Sequence, residues 1–118
     1  MRPASEASRI AAVLPMAPRD YLILFVLADG PLHGHGLLRA LESEAQGVPF
    51  DPANLYRSLR KLERDELIAE AKADGEAGGP ARRAFRLTRL GRGALAAEAA
   101  RLTALADAAR QKRLVPTR

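Results

Sequence analysis

Apolar residues recur along this chain with two different periods, and the change of period marks its parts. In Phe50–Arg64 they follow a helix: at about 100° per residue, Leu55, Leu59 and Leu62 fall on one narrow stripe. Arg57, Arg60 and Arg64 cluster opposite, with Lys61 beside them and Asn54 and Tyr56 on the flanks. Asp51 is placed to cap this helix with its carboxylate, and Pro52 suits the first helical position. Phe50 and Leu55 have the spacing of a hydrophobic staple across that start. One face is therefore built for burial, while the other is cationic.

The segment 18–28 has a different pattern. Leu22, Ile23, Leu24, Phe25, Val26 and Leu27 go nearly all the way round a helix. A run this short is also the length of a buried strand, but Pro18 and Gly30-Pro31 bracket it at helical length. A helix that is apolar all round needs two burial partners, its own core and a second subunit. PLHGHG (31–36) is a glycine-rich turn. A helix from Gly34 to Gln46 follows, with Leu37, Leu38, Leu41 and Ala45 as its buried stripe.

After residue 64 the period shortens to two. LIAEAKA (67–73) reads as a strand, DGEAGGPA (74–81) as a flexible glycine-rich turn, and RRAFRLT (82–88) as the returning strand. Phe85 and Leu87 lie on one side of that strand and Arg82, Ala84 and Arg86 on the other. Thr88 can cap a last helix, 89–113. In it Leu95, Leu102 and Ala109 recur at seven, with Ala99, Leu105 and Ala106 between them, too short a heptad to stand alone. The predicted fold is mainly α with a small β-hairpin, in the order helix-helix-helix-strand-wing-strand-helix. This is a winged helix-turn-helix whose third helix enters a DNA groove. Residues 1–16 read as a flexible N-terminal arm, 17–88 as the winged domain, 89–113 as a dimerisation helix and 114–118 as a frayed tail.

Composition narrows the chemistry. The 118 residues suit one domain, and 47% hydrophobic residues make a packed core attainable. The net charge of +5 favours an anionic partner. Aromatics are only 4% and tryptophan is absent, which argues against a single-strand binder that works by stacking. There is no cysteine, so no disulfide and no thiolate metal site; this suits a reducing cytoplasm. The two histidines, His33 and His35, share one turn and have no third to complete a nitrogen site. The longest apolar run, Tyr21–Ala28, is far short of the ~20 residues that span a membrane. The start of the chain is too broken for a signal peptide, with Glu6 ahead of a short apolar stretch. No nucleophile–base pair or phosphate-binding loop stands out, so neither an enzyme nor a cofactor is expected.

The cationic helix face suits a duplex major groove, where arginine reads guanine, asparagine reads adenine and cations meet phosphate. From Arg82 to Arg92 there are five arginines and no acid, which suits a wing that reaches phosphate or a minor groove.

Three stretches resemble one family. LILFVLADGPLHGHGLLRALE resembles the opening of the PadR-like transcriptional regulators. FDPANLYRSLRKLERDELI is similar to their recognition segment, with its Leu-Tyr-x-x-Leu-x-x-Leu pattern. AFRLTRLGRGAL resembles their Tyr-x-Leu-Thr-x-x-Gly junction. The resemblance covers roughly residues 18–110 and points to the subgroup with a short C-terminal helix. It implies a cytoplasmic homodimer that binds double-stranded DNA, usually as a repressor, with the dimer built from the first and last helices. Carried over by position, Asn54, Tyr56, Arg57, Arg60 and Lys61 face DNA, and Arg82 and Arg83 sit at the wing. Leu22, Phe25, Val26, Leu95, Leu102 and Leu105 are the expected dimer interface. A small-molecule effector of unspecified identity is compatible with this scheme. The chain departs from the family pattern at His35 and Phe85, where tyrosine is usual, and at Glu66, where glycine is usual. The competing reading is an interaction adaptor, a winged helix whose basic face meets a protein.

Overall fold

The computed structural model describes residues 4–44, 47–71 and 83–116. Its elements are α1 (Glu6–Ala12), α2 (Pro18–Leu27), β1 (Leu32–His33), α3 (Gly34–Glu44), α4 (Pro52–Arg64), β2 (Ile68–Ala71), β3 (Ala84–Leu87) and α5 (Arg89–Gln111). The fold is the winged helix-turn-helix that the periodicities predict, with two additions that they do not.

The first addition is α1. Residues expected to form a flexible arm carry a seven-residue helix, capped by the Ser5 hydroxyl, which accepts from the Ser8 N–H at 3.1 Å. No residue of α1 is fully buried, so a sequence reading finds no apolar stripe to detect. Tertiary contacts hold it instead. Ile10 packs on the core and is the main anchor, while the exposed pairs Arg9–Glu66 and Glu6–Arg89 add little. The second addition is β1. The glycine-rich turn contributes two residues that pair with β3, Leu32 opposite Phe85 and His33 opposite Ala84. The sheet is thus three-stranded and antiparallel, in the order β1-β3-β2. Two residues carry no detectable alternation, so only the paired strand reveals β1. As the middle strand, β3 lies between neighbours on both edges. Ala84, expected on the exposed side with Arg86, is buried between His33 and Ala71.

Helix α2 is the hub. It packs against α3, α4, α5 and β3, and Ile23, Leu24, Val26 and Leu27 are buried. The single chain itself therefore hides most of the all-round apolar surface, leaving Phe25 exposed and Tyr21 and Leu22 half-buried. The leucine stripes of the next two helices close the core. Leu37 and Leu41 come from α3, with Leu38 half-buried, and Leu55, Leu59 and Leu62 from α4. Ala45, the last member of the expected α3 stripe, lies outside the described residues.

Candidate nucleic-acid interface

Helix α4 is built as its sequence dictates. Asp51 is the N-cap, its Oδ1 accepting from the Asn54 N–H at 2.9 Å, with Pro52 at the first position. Phe50, half-buried, and Leu55, buried, both belong to the core cluster, as a staple requires. The helix ends in a Schellman motif. The Leu67 N–H donates to the Leu62 carbonyl and the Glu66 N–H to that of Glu63, both at 3.0 Å. This motif needs a left-handed residue, and Glu66 adopts φ +63° there. A glycine would take that conformation without a Cβ penalty.

The end of α4 is tied to the start of α5 by Thr88 and Gly91. The Thr88 hydroxyl donates to the Glu66 carbonyl at 2.6 Å and accepts from the Gly91 N–H at 2.9 Å, while the Thr88 N–H donates to the Leu67 carbonyl. A Cβ on Gly91 would lie 1.9 Å from that same carbonyl oxygen. Leu-Thr-x-x-Gly is therefore a joint: a cap, and a glycine that lets two backbones touch. It fixes the angle of α4 against the rest of the domain.

On the outward face, Tyr56, Arg57, Arg60, Lys61 and Arg64 are exposed and Asn54 is half-exposed. Asn54 is already engaged. Its Nδ2 donates to Asp51 Oδ2 at 2.6 Å, and its Oδ1 accepts from Arg57 Nη1 at 3.5 Å. The Asp51–Asn54–Arg57 series aims Arg57 along one flank. Arg60 and Arg64 have no acidic partner among the described residues. Lys61 has one: its Nζ lies 2.9 Å from Oδ2 of Asp20, a carboxylate whose side chain is only 10% exposed. Asp20 stands in the first turn of α2, just ahead of its apolar run, where an acid opposes the positive helix end. That was the available signal for it, but its partner lies 41 positions away.

Of the wing the described residues include Arg83, which is less free than its sequence suggests; the glycine-rich turn 74–81 lies outside them. Arg82 lies outside the described residues. Arg83 has no acid near it in the strand, yet the fold brings two. Its guanidinium donates to Glu70 at 3.2 Å and to Glu63 at 3.3 Å, and lies 5.3 Å from the Phe85 ring centroid. The hydrogen bond to Glu70 leads the causes that push its pKa up. Glu63 comes from α4 and Glu70 from β2, so only the folded topology gathers them around Arg83.

The expected interface residues separate in the structure. Phe25, Leu102 and Leu105 are exposed, Leu22 and Leu95 are partly buried, and Val26 is buried in its own core. Val26 is thus a packing residue of the chain's own core, because α2 is covered on several sides. A further buried group is Glu98 of α5, 1% exposed. Its carboxylate takes a bidentate pair of bonds from Arg101, at 2.6 and 2.7 Å. This pairing is the main reason its pKa is lowered; the Met16 backbone N–H adds to it, and burial opposes both. Among the described residues no group of histidines and acids could hold a metal ion, and no helix is long and apolar enough to cross a membrane.

The arginine-bearing α4, second helix of a capped helix-turn-helix and beside a winged sheet, defines a winged helix-turn-helix protein of the DNA-binding class. The family model for the PadR-like transcriptional regulators matches residues 23–97. The chain belongs to that family, which is one of transcription regulators and not of enzymes. A PadR family transcription regulator from Clostridium difficile superposes with a TM-score of 0.68 at 18% identity, over 80% of this chain and 97% of that one. The Bacillus subtilis PadR, solved in complex with operator DNA, superposes with a TM-score of 0.55 at 24% identity, over 64% of this chain and 43% of that one. In sequence, a 37.1 kDa transposon protein of Streptomyces fradiae is 38% identical over 78 residues. That match takes in 66% of this chain and spans 21% of the relative's length.

Proposed function

We propose that this regulator binds a specific double-stranded DNA operator as a homodimer and represses transcription there, in the cytoplasm. The observation that carries the reading is the outer face of α4. Arg57, Arg60 and Arg64 stand opposite the buried leucines, and none of them is neutralised by an acid among the described residues. Asn54, Tyr56, Arg57 and Arg60 form the groove-facing set, and arginine and asparagine are the side chains suited to guanine and adenine edges. The operator bound by the B. subtilis protein supports the same use of this fold. Phe25, Leu102 and Leu105 are the apolar surface that a second copy covers, which places two recognition helices about a two-fold axis. A small-molecule effector would act by changing the spacing or angle of those helices.

Selection of binding sites from random duplexes tests this. The expected product is a palindrome with half-sites about 10–10.5 base pairs apart, one helical turn, bound with a steep salt dependence. No preferred duplex and little effect of salt would favour the adaptor reading instead.

A further inference from the structure

Lys61 lies beside the arginines of α4, yet its charge is directed inward. We propose that Asp20 is a positioning residue that withdraws Lys61 from the phosphate-contacting cations and uses it to fix α4 on α2. The free positive charge on the outer face of α4 is then that of Arg57, Arg60 and Arg64. The inference rests on the DNA-binding reading above.

Three observations carry it. First, the pair is short and one-sided in exposure: Nζ to Oδ2 is 2.9 Å, with the Lys61 side chain 54% exposed and that of Asp20 only 10%. If Lys61 left for a phosphate, a carboxylate that water barely reaches would lose its partner, and an uncompensated buried charge is strongly unfavourable. Second, no other cation replaces Lys61. Asp20 has no second ion pair among the described residues; the neighbouring Arg19 donates to the Pro49 carbonyl at 3.4 Å. Third, the arginines on the same face are not held in this way. Arg60 and Arg64 have no acidic partner among the described residues, and Arg57 has only the 3.5 Å contact with Asn54. The carboxylate thus distinguishes one cation from its neighbours. It also limits phosphate attraction that does not depend on sequence, because each lysine on phosphate strengthens binding to every duplex alike.

The salt dependence of duplex binding reads this directly, since each phosphate contact contributes about 0.9 to the slope of log affinity against log salt. Titrations of the full chain with a random-sequence duplex would compare four forms: the parent, Lys61→Gln, Asp20→Asn and the double variant. Lys61→Gln is expected to leave the slope where it is. Asp20→Asn, which keeps the shape and frees the lysine, is expected to steepen it by about one per bound protomer and to tighten random-duplex binding several-fold. Adding Lys61→Gln to Asp20→Asn should return the slope to the parent value. A purely structural role for Asp20 would lower thermal stability without steepening the slope, and that outcome overturns the proposal. So does a slope made shallower by about one in Lys61→Gln alone, a variant at an exposed position that keeps the test valid if Asp20→Asn folds poorly. A parent whose duplex affinity ignores salt would refute the DNA-binding reading itself, and no variant is needed to see it.

Discussion

Two backbone positions at the junction of α4, β2 and α5 have opposite demands, and substitution should separate them. At Gly91 there is no room, because a Cβ would sit 1.9 Å from the Leu67 carbonyl oxygen, a backbone atom that cannot swing aside. Gly91→Ala is expected to cost roughly 3 kcal/mol or more, at the upper end of overpacking effects, measured by denaturant unfolding. At Glu66 the conformation is the difficulty. A non-glycine residue held at φ +63° costs about 1–2 kcal/mol. Glu66→Gly relieves that cost, gives back part of it as unfolded-chain entropy, and removes an exposed pair with Arg9 of little worth. Its stability should stay within about 1 kcal/mol of the parent; a loss as large as that of Gly91→Ala would show that the Glu66 side chain does more than tolerate its turn. Arg57 belongs to the same scale. Arg57→Ala should weaken operator binding by about 1–3 kcal/mol and relax one base position, as footprinting can show. An equal fall on random duplex would make it a phosphate contact only.

Among the elements, α5 combines two roles along its length. Its first three turns are buried in the chain's own fold, through Gly91, Ala94 and Glu98. Glu98 carries a pH signature whose sign follows from its partners. Arg101, and then the Met16 N–H, hold its folded pKa below the ordinary glutamate value. The stability it contributes is therefore present above the unfolded pKa, about 4.3, and is lost as pH falls through the folded value. Glu98→Gln should unfold at a lower temperature than the parent at neutral pH, with the gap closing as the solution is taken below pH ~4. A gap that stays constant across that range would mean that its shape matters and its charge does not. Helix α4 was legible in the sequence to the residue, because cap, proline, staple and leucine stripe are all local rules. The wing was not. Arg83 reads as unneutralised in its own strand and is paired only because the fold returns Glu63 and Glu70 to it.

The whole molecule is more extended than its length suggests. Its radius of gyration is 15.9 Å, against about 13–14 Å for a compact chain of this size. The distal half of α5 accounts for part of this, since from Leu102 onward nearly every residue is exposed. A projecting helix with Leu102 and Leu105 uncovered, and Phe25 exposed on α2, is the surface assigned above to the second copy. Cutting the chain after Gly93 would not isolate this role, because it also removes the buried Ala94 and Glu98. Replacing Leu102 and Leu105 together with glutamate spares the core. Sedimentation should find a folded monomer, with operator affinity falling toward that of one half-site. A double variant that remains dimeric and binds as the parent does would place the interface elsewhere.

The sequence by itself determined what repeats within a few residues: the order of elements from α2 to α5 apart from β1, the two-faced helix α4 and the family junction. Those features rest on local periodicity and capping, which a chain carries wherever it is placed. The tertiary structure alone decided which charges remain available. Asp20 and Lys61 are 41 positions apart, and Arg83 lies 13 and 20 positions from its acids. It also decided that Val26 belongs to the core, that seven residues of the expected N-terminal arm, without a buried stripe, become a helix, and that two residues of a glycine turn become an edge strand. Each of these depends on a partner far along the chain, and no local pattern encodes where that partner will be.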